Sequence, residues 1–277
     1  MRDPSAPPAA VLVAFGAVGS PERLAGGQGE AFRADGIVLK RAALAAEAEL
    51  TGELFERLEG PGFRVPRPVR GRDGRFVQAG PDGDQWSAWE YVEGAHAGPN
   101  GGRWPETIAA CQSFHEALAR EAAAPWRRLF AVRDDPWSAA DRLTFGETNE
   151  EPLPPFEPLI RRLTAMLRPV EAPSQLIHGD FTGNVLFADG EPPCVIDFSP
   201  YWRPAPFALG VVVADAVAWA GTGAGIVGLC DEIAGFEQWI VRGLLRRVWE
   251  CDQHTRRGRD CSAHVFEYER ATAALLR

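Results

Sequence analysis

Residues 176–187 read Leu-Ile-His-Gly-Asp-Phe-Thr-Gly-Asn-Val-Leu-Phe, and residues 195–198 read Val-Ile-Asp-Phe. Apolar runs separated by polar, glycine-containing turns predict short strands joined by tight loops. The first loop presents Asp180 and Asn184, and the last strand ends in Asp197. We therefore expect these three side chains to meet at one end of a small sheet.

The chemistry of these side chains indicates phosphoryl transfer. A transferring phosphoryl group needs its charge neutralised and its attacking hydroxyl positioned, and it needs little covalent help from the protein. Carboxylate and amide oxygens are the ligands that Mg²⁺ prefers. Asp180 suits the orientation of a hydroxyl, whereas Asn184 and Asp197 suit the metal.

With His178 and Gly179 before Asp180, the pattern resembles the catalytic loop and the metal-binding Asp of the protein-kinase-like superfamily, in its aminoglycoside phosphotransferase branch. The resemblance implies ATP- and Mg²⁺-dependent phosphorylation of a small-molecule hydroxyl, with Asp180 as the catalytic residue. The family places four residues between this Asp and the metal-binding Asn, whereas three separate Asp180 from Asn184. A pseudokinase that binds a nucleotide without transferring phosphate is therefore an alternative.

The N-terminal part of the chain contains a second set of candidate residues. Gly26, Gly27 and Gly29 lie in a turn between two predicted strands, and glycines let backbone N–H groups approach phosphates. Lys40 ends an apolar strand, where the resemblance implies a lysine that contacts the nucleotide phosphates. An ordinary hairpin with an exposed lysine is the simpler alternative for this stretch taken alone.

The helix predicted over residues 44–58 carries an acid on its apolar face. Glu47 shares that face with Leu54, and a buried carboxylate needs a cationic partner. We expect Glu47 to position Lys40, with Glu53 as the rival residue.

The predicted fold class is α+β, a two-lobed protein-kinase-like fold. Residues 1–92 form a small lobe with a five-stranded antiparallel sheet and one main helix, and residues 93–277 form a mostly helical lobe that carries catalysis and the acceptor site. The resemblance implies that the hinge between them contacts the adenine through the backbone of Glu90 and Val92.

Three further features of the large lobe are predicted. Residues 199–204 are expected to be a short loop in the place of a kinase activation segment. The resemblance implies that Asp215 is a buried acid that hydrogen-bonds the catalytic-loop backbone. His115, on a predicted amphipathic helix, is expected to be packed or exposed and not catalytic.

Acidic residues cluster before the catalytic strand, at positions Glu147, Glu150, Glu151 and Glu157. The resemblance implies that such inserts line the acceptor pocket, where carboxylates would bind the amines of an aminoglycoside-like acceptor. A solvated acidic loop is the alternative, because charge runs usually face solvent.

Two Cys and two His residues near the C-terminus, Cys251, His254, Cys261 and His264, have the spacing of a possible zinc site. A zinc-stabilised interaction module is therefore a further alternative to an enzyme. The neighbouring arginines are expected to form a solvated basic face; they are Arg242, Arg246, Arg247, Arg256, Arg257 and Arg259.

Composition excludes several classes of protein. A net charge of −9 disfavours nucleic-acid binding, which needs a positive footprint. Five cysteines, an odd number, do not form a secreted disulfide framework, so a reducing cytoplasm is expected. The apolar run over residues 205–230 contains Asp215 and five glycines, which favours a buried helix over a membrane span.

Overall fold

The computed structural model describes residues 6–24, 31–97 and 102–276. It confirms the predicted α+β class, with an antiparallel sheet in the N-terminal part and a mostly helical C-terminal part. The chain forms two units, Met1–Glu59 with Arg64–Gly94 and Gly60–Phe63 with Ala95–Arg277. The lobe boundary that we placed after Val92 stays a prediction.

The first unit is a sheet with two helices. Its elements are α1 (Ala9–Ala14), β1 (Glu22–Arg23), β2 (Ala31–Ala34), β3 (Ile37–Arg41), α2 (Ala45–Arg57), β4 (Pro68–Val69), β5 (Val77–Ala79) and β6 (Gln85–Glu90). The strand order is β1-β2-β3-β6-β4, with β5 also paired to β6, and every pairing is antiparallel.

Among the residues that the structure describes, the sheet has six strands, so the prediction of five was wrong. The extra strand is β4, whose Pro68 and Val69 pair with Trp89 and Ala88 of β6. Proline cannot donate to a ladder, and two residues are too few for an alternating pattern. This strand therefore forms because it pairs with β6, and its local sequence does not predict it.

The carboxylate of Glu49 connects helix α2 to the start of β5. Glu49 accepts hydrogen bonds from the backbone N–H groups of Phe76 and Val77, each at 3.1 Å. A Cβ on Gly52 would lie 2.4 Å from the Phe76 ring, so helix and strand are in close contact. Glu49 thus satisfies two backbone donors next to the sheet.

The second unit is mostly helical. Its elements are β7 (Ala95–His96), α3 (Trp104–Leu118), α4 (Ala123–Phe130), α5 (Pro136–Thr144), α6 (Glu157–Ala165), β8 (Ser174–His178), β9 (Val185–Phe187), β10 (Cys194–Val195), β11 (Pro200–Pro204), α7 (Ala205–Trp219), α8 (Phe236–Arg256) and α9 (Val265–Leu275). Short 3₁₀ helices lie at Ala224–Cys230 and Ser262–His264. The strands form a β10-β9-β7 sheet and a β11-β8 pair.

Strand β11 replaces the loop that we expected over residues 199–204. Its Tyr201 lies opposite Ile177 of β8, and the two strands pair along the full length of both. The Tyr201 ring lies where a Cβ on Gly179 would be, at 2.4 Å. A glycine at position 179 is therefore required for this strand to pack beside the catalytic loop.

Helices α7 and α8 approach each other at glycines. A Cβ on Gly210 would lie 2.2 Å from the carbonyl oxygen of Trp239, and a Cβ on Gly243 would lie 2.5 Å from the carbonyl oxygen of Gly210. This contact brings the polar residues of α8 next to the apolar helix α7. Within the described ranges, no helix combines the length and apolar character needed to cross a bilayer.

Candidate active site

One buried histidine joins the two loops that carry the predicted catalytic and metal residues. His178, the last residue of β8, accepts hydrogen bonds at Nδ1 from the N–H groups of Asp180 (3.2 Å) and Ser199 (3.4 Å). Its Nε2–H donates to the carbonyl oxygen of Ile196 at 3.2 Å. Burial foremost lowers the pKa of His178 to about 4, so the ring is neutral, as this pattern of donor and acceptor requires.

A second buried histidine, His115 of α3, fixes the end of β8. Its Nε2 accepts from the N–H of His178 at 3.0 Å, and its Nδ1–H donates to the carbonyl oxygen of Cys111 at 2.6 Å. Burial lowers the pKa of His115 to about 3. His115 is packed, as expected, and its contact with the catalytic loop was not anticipated.

The shortened loop closes as a tight turn that keeps Asn184 beside Asp180. The N–H of Asn184 donates to the carbonyl oxygen of Phe181 at 3.2 Å, and Gly183 adopts a φ of +79°, which favours glycine. The Asn184 Nδ2 donates to the Asp180 carbonyl oxygen at 2.6 Å. That bond leaves the amide oxygen of Asn184 as the acceptor atom for other groups.

Asp197 follows β10 at the neighbouring turn. It is exposed, and its φ of +50° lies in the left-handed region, which is uncommon for residues other than glycine and often marks a functional position. The N–H of Ile196 donates to the carbonyl oxygen of Asn184 at 2.9 Å. Asp180, Asn184 and Asp197 are therefore brought together within the second unit.

The oxygens of this group fit a hard divalent cation. Asp197 supplies an exposed carboxylate and Asn184 an amide oxygen, and both are ligands typical of Mg²⁺. The assignment of these two residues to a metal stays a prediction.

Arg247 of α8 contacts the carboxylate of Asp180. Its Nη2 lies 2.6 Å from Asp180 Oδ1, and the same guanidinium binds Asp215 at 2.5 and 3.0 Å and Glu250 at 2.8 Å. Desolvation acts to raise the pKa of Asp180, but the charge and hydrogen bond of Arg247 outweigh it and the pKa is lowered. Asp215 is buried as expected, but it binds Arg247 and acts on the loop through that side chain.

Arg246 of α8 binds the backbone of the same loop, one residue before Asp180. Its guanidinium donates to the carbonyl oxygen of Gly179, forms an ion pair with Glu250 at 3.0 Å and lies 4.6 Å from the Tyr201 ring centre. The side chain is 1% exposed. A buried guanidinium in this position holds the backbone of the catalytic loop.

The prediction of a solvated basic face was therefore wrong for three of its six arginines. Arg242, Arg246 and Arg247 are buried, whereas Arg256, Arg257 and Arg259 are exposed. A buried cation needs compensating carboxylates. The i+3 and i+4 spacing of Arg247 and Arg246 from Glu250 was a signal in the sequence that could have indicated this.

The residues predicted to bind the nucleotide belong to the first unit, whereas Asp180, Asn184 and Asp197 belong to the second. In the first unit, Lys40 lies on β3, Glu47 lies in the first turn of α2, and Glu90 ends β6, with its N–H donating to the Arg67 carbonyl oxygen at 2.8 Å. Val92 follows β6. Their roles stay predictions, and Gly26, Gly27 and Gly29 lie outside the described residues.

The four acidic residues that cluster before the catalytic strand each have a partner. Glu147 binds Arg203 at 2.5 Å, Glu151 and Glu157 bind Arg161, and Glu150 binds Gln253 at 2.7 Å. The carboxylates that were candidates for binding an amine thus already have partners in this chain.

The zinc prediction is not supported by the geometry. The His254 ring packs on Trp137 with 4.8 Å between ring centres, and the His264 ring packs on Trp219 at 5.0 Å. In the part of the chain that the structure describes, no group of three or more His, Cys, Asp or Glu residues could hold a metal ion.

Comparison with known proteins identifies relatives of this chain. The pattern of the phosphotransferase enzyme family matches residues 23–201. The homoserine kinase of Granulibacter bethesdensis (strain ATCC BAA-1260 / CGDNIH1) is 34% identical over 163 residues, which are 52% of this chain and 46% of that protein. The chain thus matches about half the length of this relative.

Solved structures share the fold over nearly the whole chain. The aminoglycoside 2'-phosphotransferase-IIIa, in its GDP complex, has a TM-score of 0.62 at 15% identity and covers 95% of this chain and 96% of its own. The microcompartment-associated aminopropanol kinase has a TM-score of 0.60 at 15% identity, covering 96% and 93%. At these identities the likeness shows the fold, which is the predicted kinase-like one. Because the family pattern spans well over half of its residues, the chain belongs to the phosphotransferase enzyme family, as the resemblance predicted.

Proposed function

We propose that this chain transfers the γ-phosphoryl group of ATP to a hydroxyl group of a small molecule. The observation that carries the proposal is the arrangement in the second unit, where the Asn184 amide contacts the Asp180 backbone and His178 binds the loops of both Asp180 and Asp197. Membership of the phosphotransferase enzyme family supports this reaction.

Asp180 would orient the acceptor hydroxyl. Its Oδ1 is bound by Arg247, and its Oδ2 would accept the hydrogen bond of the hydroxyl. A carboxylate with a lowered pKa is ionised at neutral pH and is a weak base. In a loose transition state the proton leaves late, so positioning matters more than basicity.

Asn184 and Asp197 would hold Mg²⁺. Bound there, the ion would neutralise charge on the nucleotide phosphates. Lys40, positioned by Glu47, would contact phosphates, and the backbone of Glu90 and Val92 would contact the base. GDP in the aminoglycoside 2'-phosphotransferase relative makes GTP a second nucleotide to test.

The acceptor is proposed to be a small amino alcohol. The homoserine kinase and aminopropanol kinase relatives are named for acceptors of this kind, and the aminoglycoside relatives for larger ones.

The proposed location of the protein is a reducing cytoplasm. The five cysteines are free and buried, which supports this location.

Binding without transfer is the second candidate function, favoured by the three-residue spacing between Asp180 and Asn184. Calorimetry of ATP with and without Mg²⁺, on the unaltered chain and on Asp197→Asn, tests nucleotide binding. We expect Mg²⁺-dependent binding that the substitution weakens, followed by ADP release in a screen of hydroxyl compounds. ATP binding without ADP release from any acceptor would favour the pseudokinase, and no ATP binding would reject both.

A further inference from the structure

A cavity of about 570 Å³ lies in the second unit, between the end of α5, helix α6 and the middle of α8. This volume is within the range of small-molecule binding sites. Apolar and aromatic side chains form much of its wall, and they are Leu143, Phe145, Ile160, Leu245 and Trp249. The wall therefore fits a ligand with an apolar body.

The cavity lies on the side of α8 that faces away from the candidate active site. Its α8 residues are Arg242, Leu245 and Trp249, whose i, i+3 and i+7 spacing places them on one face of the helix. At about 3.6 residues per turn, Arg247, which binds Asp180, lies on the other side of α8. A ligand bound in the cavity is therefore an additional ligand and not the phosphate acceptor.

Arg242 is a buried cation in the wall of the cavity, and it contacts only neutral acceptors. The residue is 8% exposed. Its Nη1 donates to the carbonyl oxygen and the amide oxygen of Gln238 at 3.1 and 3.2 Å, and its Nη2 donates to the carbonyl oxygen of Arg168 at 2.7 Å. Among the residues that the structure describes, no carboxylate forms an ion pair with Arg242, and burial lowers its pKa.

The edge of the guanidinium that binds carboxylates elsewhere in this chain is unused in Arg242. Arginine commonly holds a carboxylate in a fork of two N–H groups. Arg70 binds Glu56 through Nε at 2.8 Å and Nη2 at 2.7 Å, and Arg203 binds Asp141 through the same two atoms at 3.0 and 2.6 Å. No described residue accepts a hydrogen bond from the Nε–H of Arg242, and its Nη2 retains one of two N–H donors.

The acids that line the cavity are engaged by other residues. Glu150 accepts a hydrogen bond from Gln253 at 2.7 Å, and Glu151 forms an ion pair with Arg161 at 3.2 Å. Both acids are exposed, so water also solvates them. The cavity therefore combines an apolar wall with the buried charge of Arg242, which these acids do not compensate.

We propose that this cavity binds a small carboxylate that has an apolar or aromatic body. The carboxylate binds Nε–H and Nη2–H of Arg242, and the body packs against Ile160, Leu245 and Trp249. Such a ligand supplies the negative charge that the buried guanidinium lacks, and its body removes apolar wall from water. This site goes beyond the proposed function and does not rest on it.

The test compares a carboxylate with a neutral compound of the same shape. The probe is 4-phenylbutyrate, and 4-phenylbutyramide is its uncharged counterpart. Binding of each to the unaltered chain is measured by calorimetry. We expect the carboxylate to bind at least tenfold more tightly than the amide, because a charge-assisted hydrogen bond is worth that much. Butyrate should bind more weakly than 4-phenylbutyrate, because it has no ring to pack on the wall.

The first variant is Arg242→Gln, with Arg162→Gln as the matched control. Arg162 is exposed on α6 and does not line the cavity. Arg242→Gln should weaken the binding of 4-phenylbutyrate at least tenfold and remove the preference for the carboxylate over the amide. The Arg162 control should bind as the unaltered chain does. Asp180→Asn should also bind 4-phenylbutyrate unchanged, because the catalytic site is not involved.

A second variant keeps the test decisive where Arg242→Gln does not fold. Ala165→Trp places a large side chain at an exposed position of α6 that lines the cavity, and it leaves Arg242 in place. It should weaken the binding of both the carboxylate and the amide, because it takes up part of the cavity. Circular dichroism checks that each variant is folded. Full affinity for 4-phenylbutyrate in folded Ala165→Trp would show that the probe binds elsewhere.

Four further results would overturn the inference. One is that 4-phenylbutyrate binds the unaltered chain no more tightly than its amide does. Another is full affinity for 4-phenylbutyrate in folded Arg242→Gln. The third is loss of binding in Asp180→Asn, which would place the probe in the catalytic site. The fourth is that inorganic phosphate displaces 4-phenylbutyrate at equal concentration, which would assign Arg242 to a phosphate-bearing ligand.

Discussion

The guanidinium of Arg247 lies 2.6 Å from the carboxylate of Asp180, at Nη2 and Oδ1. Arg247 belongs to α8, 67 residues further along the chain, and it also binds the buried Asp215 of α7. Two helices of the second unit are thereby connected to the residue proposed to orient the acceptor. The position of Asp180 depends on this packing as much as on its own loop.

Replacing Asp180 tests its proposed role directly. Asp180→Asn should lower the rate of ADP release by about 10²-fold to 10⁴-fold, the range typical of a positioned acid-base group. ATP affinity should stay within about twofold, because the metal residues Asn184 and Asp197 are retained. Turnover that survives the substitution would show that another group orients the acceptor.

Loss of Arg247 should destabilise the fold as well as slow the reaction. Arg247→Met leaves Asp215 buried without its cation, and removal of one partner of a buried ion pair costs about 3 to 5 kcal/mol. Urea unfolding followed by circular dichroism measures this change. Arg257→Met, at an exposed position of the same region, should change the unfolding free energy by less than about 0.5 kcal/mol. Equal effects of the two substitutions would contradict the buried pair.

The free energy of unfolding should decrease as the pH is lowered, because His115 is buried in its neutral form. Its pKa is about 3 in the folded state and near 6.5 when unfolded, so the unfolded chain binds the extra proton between these values. The stabilisation is complete above pH 6.5 and is lost as the pH falls, by about 2 kcal/mol at pH 5. His178 acts in the same direction.

Unfolding by urea at pH 7, 6 and 5 measures that dependence. In His115→Asn the shorter amide can still donate to the Cys111 carbonyl oxygen, but it no longer reaches the N–H of His178, so the protein should be less stable at every pH. The slope between pH 7 and 5 should become shallower, because the titrating ring is gone. His96→Asn, at an exposed position of β7, serves as the control and should keep the slope. An unchanged slope in His115→Asn would show that other groups account for the dependence.

The contact between α7 and α8 should not accept a methyl group. Gly210→Ala places a Cβ 2.2 Å from the Trp239 carbonyl oxygen, so the helices must separate, at a cost of about 1 to 3 kcal/mol. Gly225→Ala, whose Cβ would meet open space, is the matched control. Thermal unfolding should separate the two variants by several degrees, and identical midpoints would contradict the close approach.

Much of the candidate site could be predicted from the chain. The loop between β8 and β9, the strand before Asp197 and the order of the motifs are local, and spacing within a few residues decides where such side chains point. The kinase-like fold and the phosphotransferase family were predicted from that order and are confirmed. The roles of Lys40, Glu47 and the hinge residues stay predictions.

Other features depended on residues far apart in the chain. Residues 199–204 were expected to be a loop in the place of a kinase activation segment, and strand β11 exists there because β8 offers it a pairing edge. Three arginines of α8 were expected in solvent, and they are buried because other parts of the second unit bind them. Their partners are the carboxylates of Asp215 and Glu250 and the carbonyl oxygens of Gly179 and Arg168. From sequence alone, a charged residue on an amphipathic helix is predicted to face solvent, because its buried partners lie elsewhere in the chain.

The local pattern of loops, glycines and acids was sufficient to predict a small-molecule phosphotransferase, because the residues proposed to orient the acceptor and to hold the metal lie within 18 residues of one another, from Asp180 to Asp197. The tertiary structure alone decided what supports them: His115 behind the loop, Arg247 on Asp180, and Arg246 on the carbonyl oxygen of Gly179. The reason is physical. Periodicity shows which residues leave water, but the charge that a buried group meets there depends on which helix packs against it.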